Sequence, residues 1–295
     1  MSTAATTSAP RIPAELYFVG SAIFHYLGPS FAVLLFARVP VAGVAWLRIV
    51  SAGVVFAAWR RPWRALHRAD RSTRRLILAL GVVFALMNYA FYMAIDLLPL
   101  GTVAAIEFTG PIALALVGVR SRRNVAAVVL AIGGVVILTA VAGDIGGGAT
   151  AGFAWAFANA ALFTVYIVLA HAVARADPTT SPIDRLGAAM LIAAIAITPI
   201  GLHGALPALG DPVALAAGVG VGISSSVIPY VFDQKAMARL ARSTYALFVA
   251  LLPATAVVIG IVVLRQVPTW PEVGAVGLVI AGVLLHRERG PTVTT

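Results

Sequence analysis

The chain has 295 residues, of which 61% are hydrophobic and only 11% are charged, and it carries a formal net charge of +10. Soluble domains carry roughly 25% charged residues, so this composition is typical of a protein solvated by lipid. The chain contains no cysteine, which excludes disulfides, iron–sulfur clusters and thiolate zinc sites.

The first segment, 1–15, is rich in Ala, Ser and Thr and contains one Arg and one Glu. The apolar run after it is too long for the core of a signal peptide. We therefore predict a short disordered cytoplasmic tail followed by a retained first helix.

Ten apolar runs follow, each close to the roughly 20 residues that a helix needs to cross a hydrocarbon core of about 30 Å. Backbone polar groups in lipid must be satisfied within a segment, and these runs are longer than the strands of a membrane barrel, so we predict an all-α membrane protein. The predicted spans 1 to 10 cover 16–37, 42–59, 76–96, 102–119, 124–142, 152–172, 186–203, 214–233, 244–264 and 271–286.

The basic residues predict the orientation of these spans. Eighteen of the 21 Lys and Arg residues lie in polar segments that alternate with loops containing only Arg38 and Arg265. Both termini should therefore be cytoplasmic, and the net charge belongs to inner-face loops rather than to a nucleic-acid surface. The basic segments are 1–15, 60–75, 120–123, 173–185, 234–243 and 287–295.

A weak internal repeat relates the two halves of the chain, 16–142 and 152–286. Each half would hold five helices, so the second half should enter the membrane from the opposite side. Such inverted repeats build the half-sites of secondary transporters around a central cavity. At an offset of 141 or 142 residues, the matched positions are Asn88–Phe91 with Pro229–Phe232, and Pro111 with Pro253.

Several chemistries have no support in the sequence. A phosphate-binding loop needs Lys after Gly, but the only lysine, Lys235, follows Gln234. The glycine run at 146–148 follows no strand, so we favour a flexible turn over a phosphate cradle. The five histidines are dispersed, and we predict neither a metal nor a cofactor.

Two residues of opposite charge share a depth inside the predicted spans. Arg48 and Glu107 each lie about seven residues from the outer end of their span, which is about 10 Å deep. An unpaired charge there costs at least ~2 to 3 kcal/mol, so each should face the bundle interior. Either the two neutralise each other, or Arg48 binds a substrate carboxylate while Glu107 holds an ammonium or a proton.

Span 3 offers a third wall for such a cavity. Small and polar residues recur there at steps of three or four and share one helix face. That face either lets helices approach closely or lines the cavity with hydrogen-bonding groups. Its members are Gly81, Ala85, Asn88, Tyr92 and Asp96.

The second half supplies corresponding polar residues. Tyr166 occupies the repeat position of His25, which either carries protons near neutral pH or bonds a backbone carbonyl. Asp233 occupies the repeat position of Tyr92. The predicted substrate-binding residues are Arg48, Asn88, Tyr92, Glu107, Asn159, Tyr166 and Tyr230, and the predicted proton carriers are Glu107, Asp233 and His25.

Span 8 should be the most pliable helix. Glycines at 218, 220 and 222 precede Ser224–Ser226, and Pro229 removes a backbone donor. Pro111 and Pro253 should likewise kink spans 4 and 9 and free carbonyls toward a substrate, although prolines also occur in membrane helices without such a role.

Other classes of function are less well supported. An intramembrane protease would need Ser224 or Ser225 beside a histidine, but His203 lies on another span at the opposite depth. A non-transporting anchor or subunit needs no inverted halves with buried Arg and Glu. From these residues alone, the substrate could equally be a nucleoside, a sugar or an amphipathic compound. They also do not decide whether the protein forms a homodimer.

The segment Met87–Leu116, MNYAFYMAIDLLPLGTVAAIEFTGPIALAL, closely resembles the threonine and homoserine exporters of the EamA family in the drug/metabolite transporter superfamily. Arg48 and the Arg61–Arg64 turn add to the likeness, and IEFTGP, with Glu107 and Pro111, is its most specific part. The resemblance implies a ten-helix bacterial inner-membrane exporter of small amino acids or related metabolites, coupled to protons.

Two departures from the resemblance lie in the second half. Such exporters usually place a Glu at the outer end of span 9, where this chain has Gln266, and the nearest amino-acid exporters place one at the position of Leu252. With those carboxylates absent, Glu107 and Asp233 are the best proton-carrier candidates.

Overall fold

The computed structural model describes residues 13–118, 121–142, 148–177, 179–240 and 242–285. Most of the predicted N-terminal tail, the whole predicted C-terminal tail 287–295, and Gly146 and Gly147 of the glycine run lie outside these ranges. Gly148 begins a helix rather than belonging to a turn.

Every regular element in the described ranges is helical. A short helix, α3, lies in the basic segment 60–75, where the sequence predicted none, and a π-helical turn (Ile223–Val227) separates α9 from α10. The helices are α1 Ala14–Leu35, α2 Val41–Arg60, α3 Trp63–Arg68, α4 Arg71–Leu97, α5 Leu100–Gly118, α6 Arg122–Ala142, α7 Gly148–Ala176, α8 Pro182–Leu209, α9 Pro212–Gly222, α10 Ile228–Met237, α11 Arg242–Val249, α12 Leu252–Leu264 and α13 Trp270–Leu285.

The chain is a multi-pass membrane protein. Within the described residues, seven helical segments are long and apolar enough to cross a bilayer, and three shorter apolar helices accompany them. Large apolar side chains such as Val262 (73% exposed) and Trp270 (88% exposed) point outward, as expected of a surface covered by lipid. The count of ten crossings and their orientation stay predictions.

Small residues allow the helices to pack closely. A Cβ added to Gly43 on α2 would collide with the Gly204 backbone on α8, and one added to Gly222 would collide with Ser51 and the Arg48 carbonyl. Without a hydrophobic driving force between helices in lipid, such close backbone approach is a main source of helix association.

The helix contacts between the two halves come in matched pairs. α4 packs on α7, and its predicted counterpart is the packing of α1 on the α9–α10 segment. The α5–α7 contact has its counterpart in α1–α12. Each of the contacts α2–α8, α5–α12 and α6–α13 joins two helices that occupy equivalent positions in the two halves, so it is its own counterpart. This is the pattern expected if the second half repeats the first.

The α-helices of spans 8 and 9 are interrupted near prolines predicted to bend them. Pro229 follows the π turn at the start of α10, and Pro253 lies in the first turn of α12, after the break that separates it from α11. Pro111 lies within the continuous helix α5, so a kink there stays a prediction.

Candidate functional site

Arg48 is buried in the centre of the bundle, seven residues after the start of α2 at Val41, with 3% of its surface exposed. Its Nε donates a hydrogen bond to Ser226 Oγ (2.9 Å), and its Nη2 donates to the Ser225 carbonyl (3.1 Å). The guanidinium also lies over the Tyr92 ring, 5.1 Å from the centroid. Thus Arg48 is bound by neutral groups.

The Ser225 carbonyl is available because of Pro229. In an α-helix this carbonyl would accept the N–H of the residue four positions later, and proline has none. The π turn further disrupts the regular ladder, a feature common at functional sites. The sequence predicted the freed carbonyl in general terms but named neither Ser225 nor Ser226 as a partner of Arg48.

Glu107 lies on α5, seven residues after Leu100, and is 8% exposed. It makes no ion pair with Arg48, so direct neutralisation of one by the other is wrong as a description of this structure. In the described part of the chain, ion pairs within 4.0 Å join Arg38 to Asp211 and Arg60 to Asp184.

Unpaired polar atoms surround these two charges. Among the described residues, the buried side-chain atoms without a hydrogen-bond partner are the Tyr92 hydroxyl and both polar atoms of the Asn159 amide. Tyr92 lies against Arg48, and Asn159, which is fully buried on α7, lies near the Glu107 carboxyl without forming a regular hydrogen bond to it. Each such buried group costs about 1 to 3 kcal/mol unless a ligand or water satisfies it.

Aromatic rings form a layer beside this polar centre. Tyr230 on α10 packs against Phe84 (5.6 Å between ring centroids) and His25 (5.9 Å), and Tyr166 on α7 packs against Phe84 (5.7 Å). The imidazole of His25 makes no hydrogen bond to a described residue, so the bond to a backbone carbonyl that the sequence allowed is not formed. The structure therefore brings His25, Tyr166 and Tyr230 together.

Asp233 lies one helical turn after Tyr230, near Ser21 on α1. The Ser21 hydroxyl donates to the Pro229 carbonyl (2.9 Å), which ties α1 to the start of α10. Asp233 is half-buried.

The structure places most of the predicted span 3 face inside the bundle, which both interpretations of that face require. Gly81, Ala85, Asn88 and Tyr92 are buried, but Asp96 is exposed near the end of α4 and does not belong to the site. The Asn88 amide donates to the Phe84 carbonyl of its own helix (2.8 Å), so its side chain is already partly satisfied.

The serines of the π turn do not form a hydrolytic site. The hydroxyls of Ser224 and Ser225 both donate to the Val221 carbonyl, and His203 is exposed on α8. No described histidine therefore activates either serine, as a nucleophile would require.

Gln266, at the position where the resemblance led us to expect a carboxylate, contacts the start of another helix. Its Oε1 accepts the N–H of Leu100 (3.0 Å), at the start of the helix that carries Glu107. A first-turn N–H is one of the backbone donors that a helix leaves unsatisfied, so Gln266 caps α5. The neutral amide of Gln266 therefore accepts this hydrogen bond without adding the negative charge that a carboxylate would bring.

A groove of about 500 Å³ opens between α1 and α9, away from the polar centre. Its walls include Phe31, Leu34, Val213 and Ala217, with Arg38 also bordering it. Ser224 lines the groove as well, so the groove reaches the π turn but not the residues that the sequence predicted to bind substrate.

Comparisons with known proteins agree on one family. The model of the EamA-like transporter family matches residues 150–287. Threonine/homoserine exporter RhtA of Escherichia coli K12 is 34% identical over 255 residues, covering 86% of this chain and 84% of the exporter. The protein of the same name from Salmonella typhimurium SL1344 is 34% identical over 270 residues, covering 90% and 89%.

A solved crystal structure shares the fold. It is 19% identical in sequence, with a TM-score of 0.57, and the match covers 92% of this chain and 95% of the other. At that identity the likeness concerns architecture alone.

Proposed function

Because the chain belongs to the EamA-like transporter family, we propose that it exports small amino acids resembling threonine and homoserine by secondary active transport. It is a membrane transporter and not an enzyme. The substrate class follows the names of its relatives, and the polar centre on α2, α4, α5 and α7 gives that substrate a binding site.

The observation that carries the proposal is the concentration of unmatched polarity around Arg48 and Glu107. Both are buried and neither contacts an opposite charge, while Tyr92 and Asn159 present buried atoms without partners. A zwitterionic amino acid with a side-chain hydroxyl would pair both charges and reach one of the two unpaired polar side chains. Its carboxylate would bind Arg48, its ammonium would bind Glu107, and a side-chain hydroxyl would reach the Asn159 amide or the Tyr92 hydroxyl.

The architecture we propose is ten transmembrane helices in two inverted five-helix repeats, with both termini on the cytoplasmic side of a bacterial inner membrane. The alternation of basic segments supports this orientation. The matched helix contacts between the halves support the repeat. Alternating access would then be the rocking of one half against the other around the central site.

We propose proton antiport with Glu107 as the residue at which proton and substrate compete. Deprotonated Glu107 binds the substrate ammonium. A proton arriving from the outside neutralises Glu107, so the ammonium is released, and the protonated carrier returns to release its proton inside. Asp233, one helical turn after Tyr230, and His25, whose ring packs against Tyr230, are the further proton carriers in this scheme.

Replacement of Glu107 tests the scheme. Proteoliposomes loaded with labelled L-threonine should show efflux that an imposed proton gradient accelerates, and Glu107→Gln should abolish that acceleration because the amide cannot titrate. The matched control is Asp96→Asn, which removes an exposed carboxylate from α4 and should leave the gradient effect intact.

The outcomes separate the alternatives. A gradient effect that persists in Glu107→Gln removes Glu107 from the coupling mechanism. Efflux of a nucleoside or a sugar without that of threonine or homoserine would show that the substrate class is wrong. Absence of transport for all of these compounds would favour a non-transporting subunit.

A further inference from the structure

The Arg48 guanidinium has two edges that can each bind a pair of acceptors. The edge formed by Nε and Nη2 is occupied by Ser226 Oγ and the Ser225 carbonyl. Among the described residues, Nη1 makes no hydrogen bond, and Tyr92 covers one face of the group. The remaining edge, formed by Nη1 and Nη2, is therefore the one left for a ligand.

The π turn that supplies the two acceptors is fixed between two helices. Gly28 on α1 lies so close to Ser225 that a Cβ there would collide with it, and Gly222 is packed equally closely against the Arg48 carbonyl and Ser51 on α2. Ser225 and Ser226 are fully buried. The acceptors thus lie on a backbone that has little freedom to move while α1 and α2 are in contact with it.

We propose that Ser226 and the Pro229-released carbonyl of Ser225 are positioning groups for Arg48. They hold one edge of the guanidinium so that the other edge points at the substrate carboxylate. Both acceptors are neutral, so they orient the cation without cancelling its charge. This inference rests on the proposed role of Arg48 in carboxylate binding and extends the site to the π turn of span 8.

The long Arg48 side chain has many accessible rotamers unless its guanidinium is held in place. An unrestrained guanidinium loses rotamer entropy when it binds a ligand, and a buried one without acceptors also remains unsatisfied. Two hydrogen bonds from the π turn remove both costs before the substrate arrives. Such preorganisation raises affinity without adding any contact to the ligand.

The test compares two serines of the same turn. Ser226→Ala removes the acceptor of Arg48 Nε, whereas Ser224→Ala removes a hydroxyl that donates only to the Val221 carbonyl. Binding of L-threonine to the full-length purified protein should weaken about tenfold in the first variant and stay unchanged in the second. Threoninol, in which an alcohol replaces the carboxylate, should bind both variants as it binds the parent protein.

Two additional variants separate positioning from a fault in folding. Ser226→Thr keeps the hydroxyl and should restore threonine affinity. In an Arg48→Lys background, Ser226→Ala should have no further effect, because the fork that the serine orients is gone. Equal weakening of threonine and threoninol by Ser226→Ala, or unchanged threonine affinity, would overturn the proposal.

A measurement without ligand keeps this test independent of the substrate assignment. In protein labelled with ¹⁵N-arginine, the Nε–H signal lost in Arg48→Lys identifies Arg48, and its exchange with solvent should be slow in the parent protein. Ser226→Ala should accelerate that exchange at least about tenfold. If threonine fails to bind but the exchange difference appears, the substrate is wrong and the positioning role stands. If exchange is unchanged, the positioning role is wrong.

Discussion

Arg48 and Arg60 lie on the same helix and use the same edge of the guanidinium, but they bind different partners. Arg60, at the end of α2, donates from Nε and Nη2 to the two carboxylate oxygens of Asp184 at 2.7 and 3.1 Å. Arg48 donates from the same two nitrogens to a hydroxyl and a carbonyl at 2.9 and 3.1 Å. The geometry is nearly the same, yet only Arg60 is neutralised.

This difference separates a structural arginine from a binding arginine. Arg60 fastens α2 to the start of α8 and has its counter-charge within the protein. Arg48 is more deeply buried, where an uncompensated charge is more costly, and it still lacks a contacting carboxylate. The protein therefore retains a cost at Arg48 that a carboxylated substrate would relieve.

The largest effect should follow from changing the shape of the Arg48 cation while keeping its charge. Arg48→Lys loses the planar fork that the π turn and a carboxylate would share. We expect a loss of about 100-fold in apparent affinity for threonine efflux from proteoliposomes, equivalent to about 2.7 kcal/mol. Arg60→Lys on the same helix is the control and should change this affinity less than about twofold.

Retained transport with unchanged affinity in Arg48→Lys would reduce Arg48 to a structural role. A comparable loss in Arg60→Lys would instead mean that the packing of α2 on α8, rather than substrate contact, controls transport.

A smaller effect is expected when Arg48 is made to resemble Arg60. Ser226→Asp places a carboxylate opposite Arg48 Nε and should neutralise the guanidinium from within the protein, so that a substrate carboxylate binds about tenfold or more weakly. Ser224→Asp is the control, since that side chain borders the groove between α1 and α9 and does not contact Arg48. The measurement is L-threonine binding to purified protein.

If Ser226→Asp binds threonine as tightly as the parent protein, the uncompensated charge of Arg48 is not what attracts the substrate. Thermal unfolding of the same variant checks the premise, because an internal counter-charge should leave the melting temperature unchanged or raised rather than lowered.

The sequence predicted the approximate positions of most helices and the burial of Arg48 and Glu107, because apolar length depends on local composition and charges in a span are expected to face the bundle interior. It could not predict that the two charges stay apart. It also could not predict the partners of Arg48, because they lie on a π turn of a span distant in sequence and the contact is tertiary. Asp96 was assigned to the same face as Tyr92 but is exposed, because helical spacing alone does not show where a face leaves the bundle.

The smallest effect concerns Asp184, which is partly exposed at the start of α8. Asp184→Asn removes the counter-charge of Arg60 and keeps an amide that can still accept one hydrogen bond. Since each side chain of the pair is about one-third exposed (33% and 27%), solvent screening should limit the loss to about 0.5 to 1 kcal/mol. In the same protein, removal of Arg60 after Asp184→Asn should cost less than its removal from the parent.

Thermal unfolding of the two single variants and the double variant measures this coupling directly, and threonine efflux should stay within about twofold of the parent in all three. Coupling well above 1 kcal/mol would mean that the pair is shielded from solvent like Arg48, and loss of efflux with unchanged stability would give Arg60 a part in transport. Either result would remove the distinction between the two arginines. That distinction requires that the charge of Arg60 is neutralised within the fold, whereas the charge of Arg48 remains available to bind a ligand.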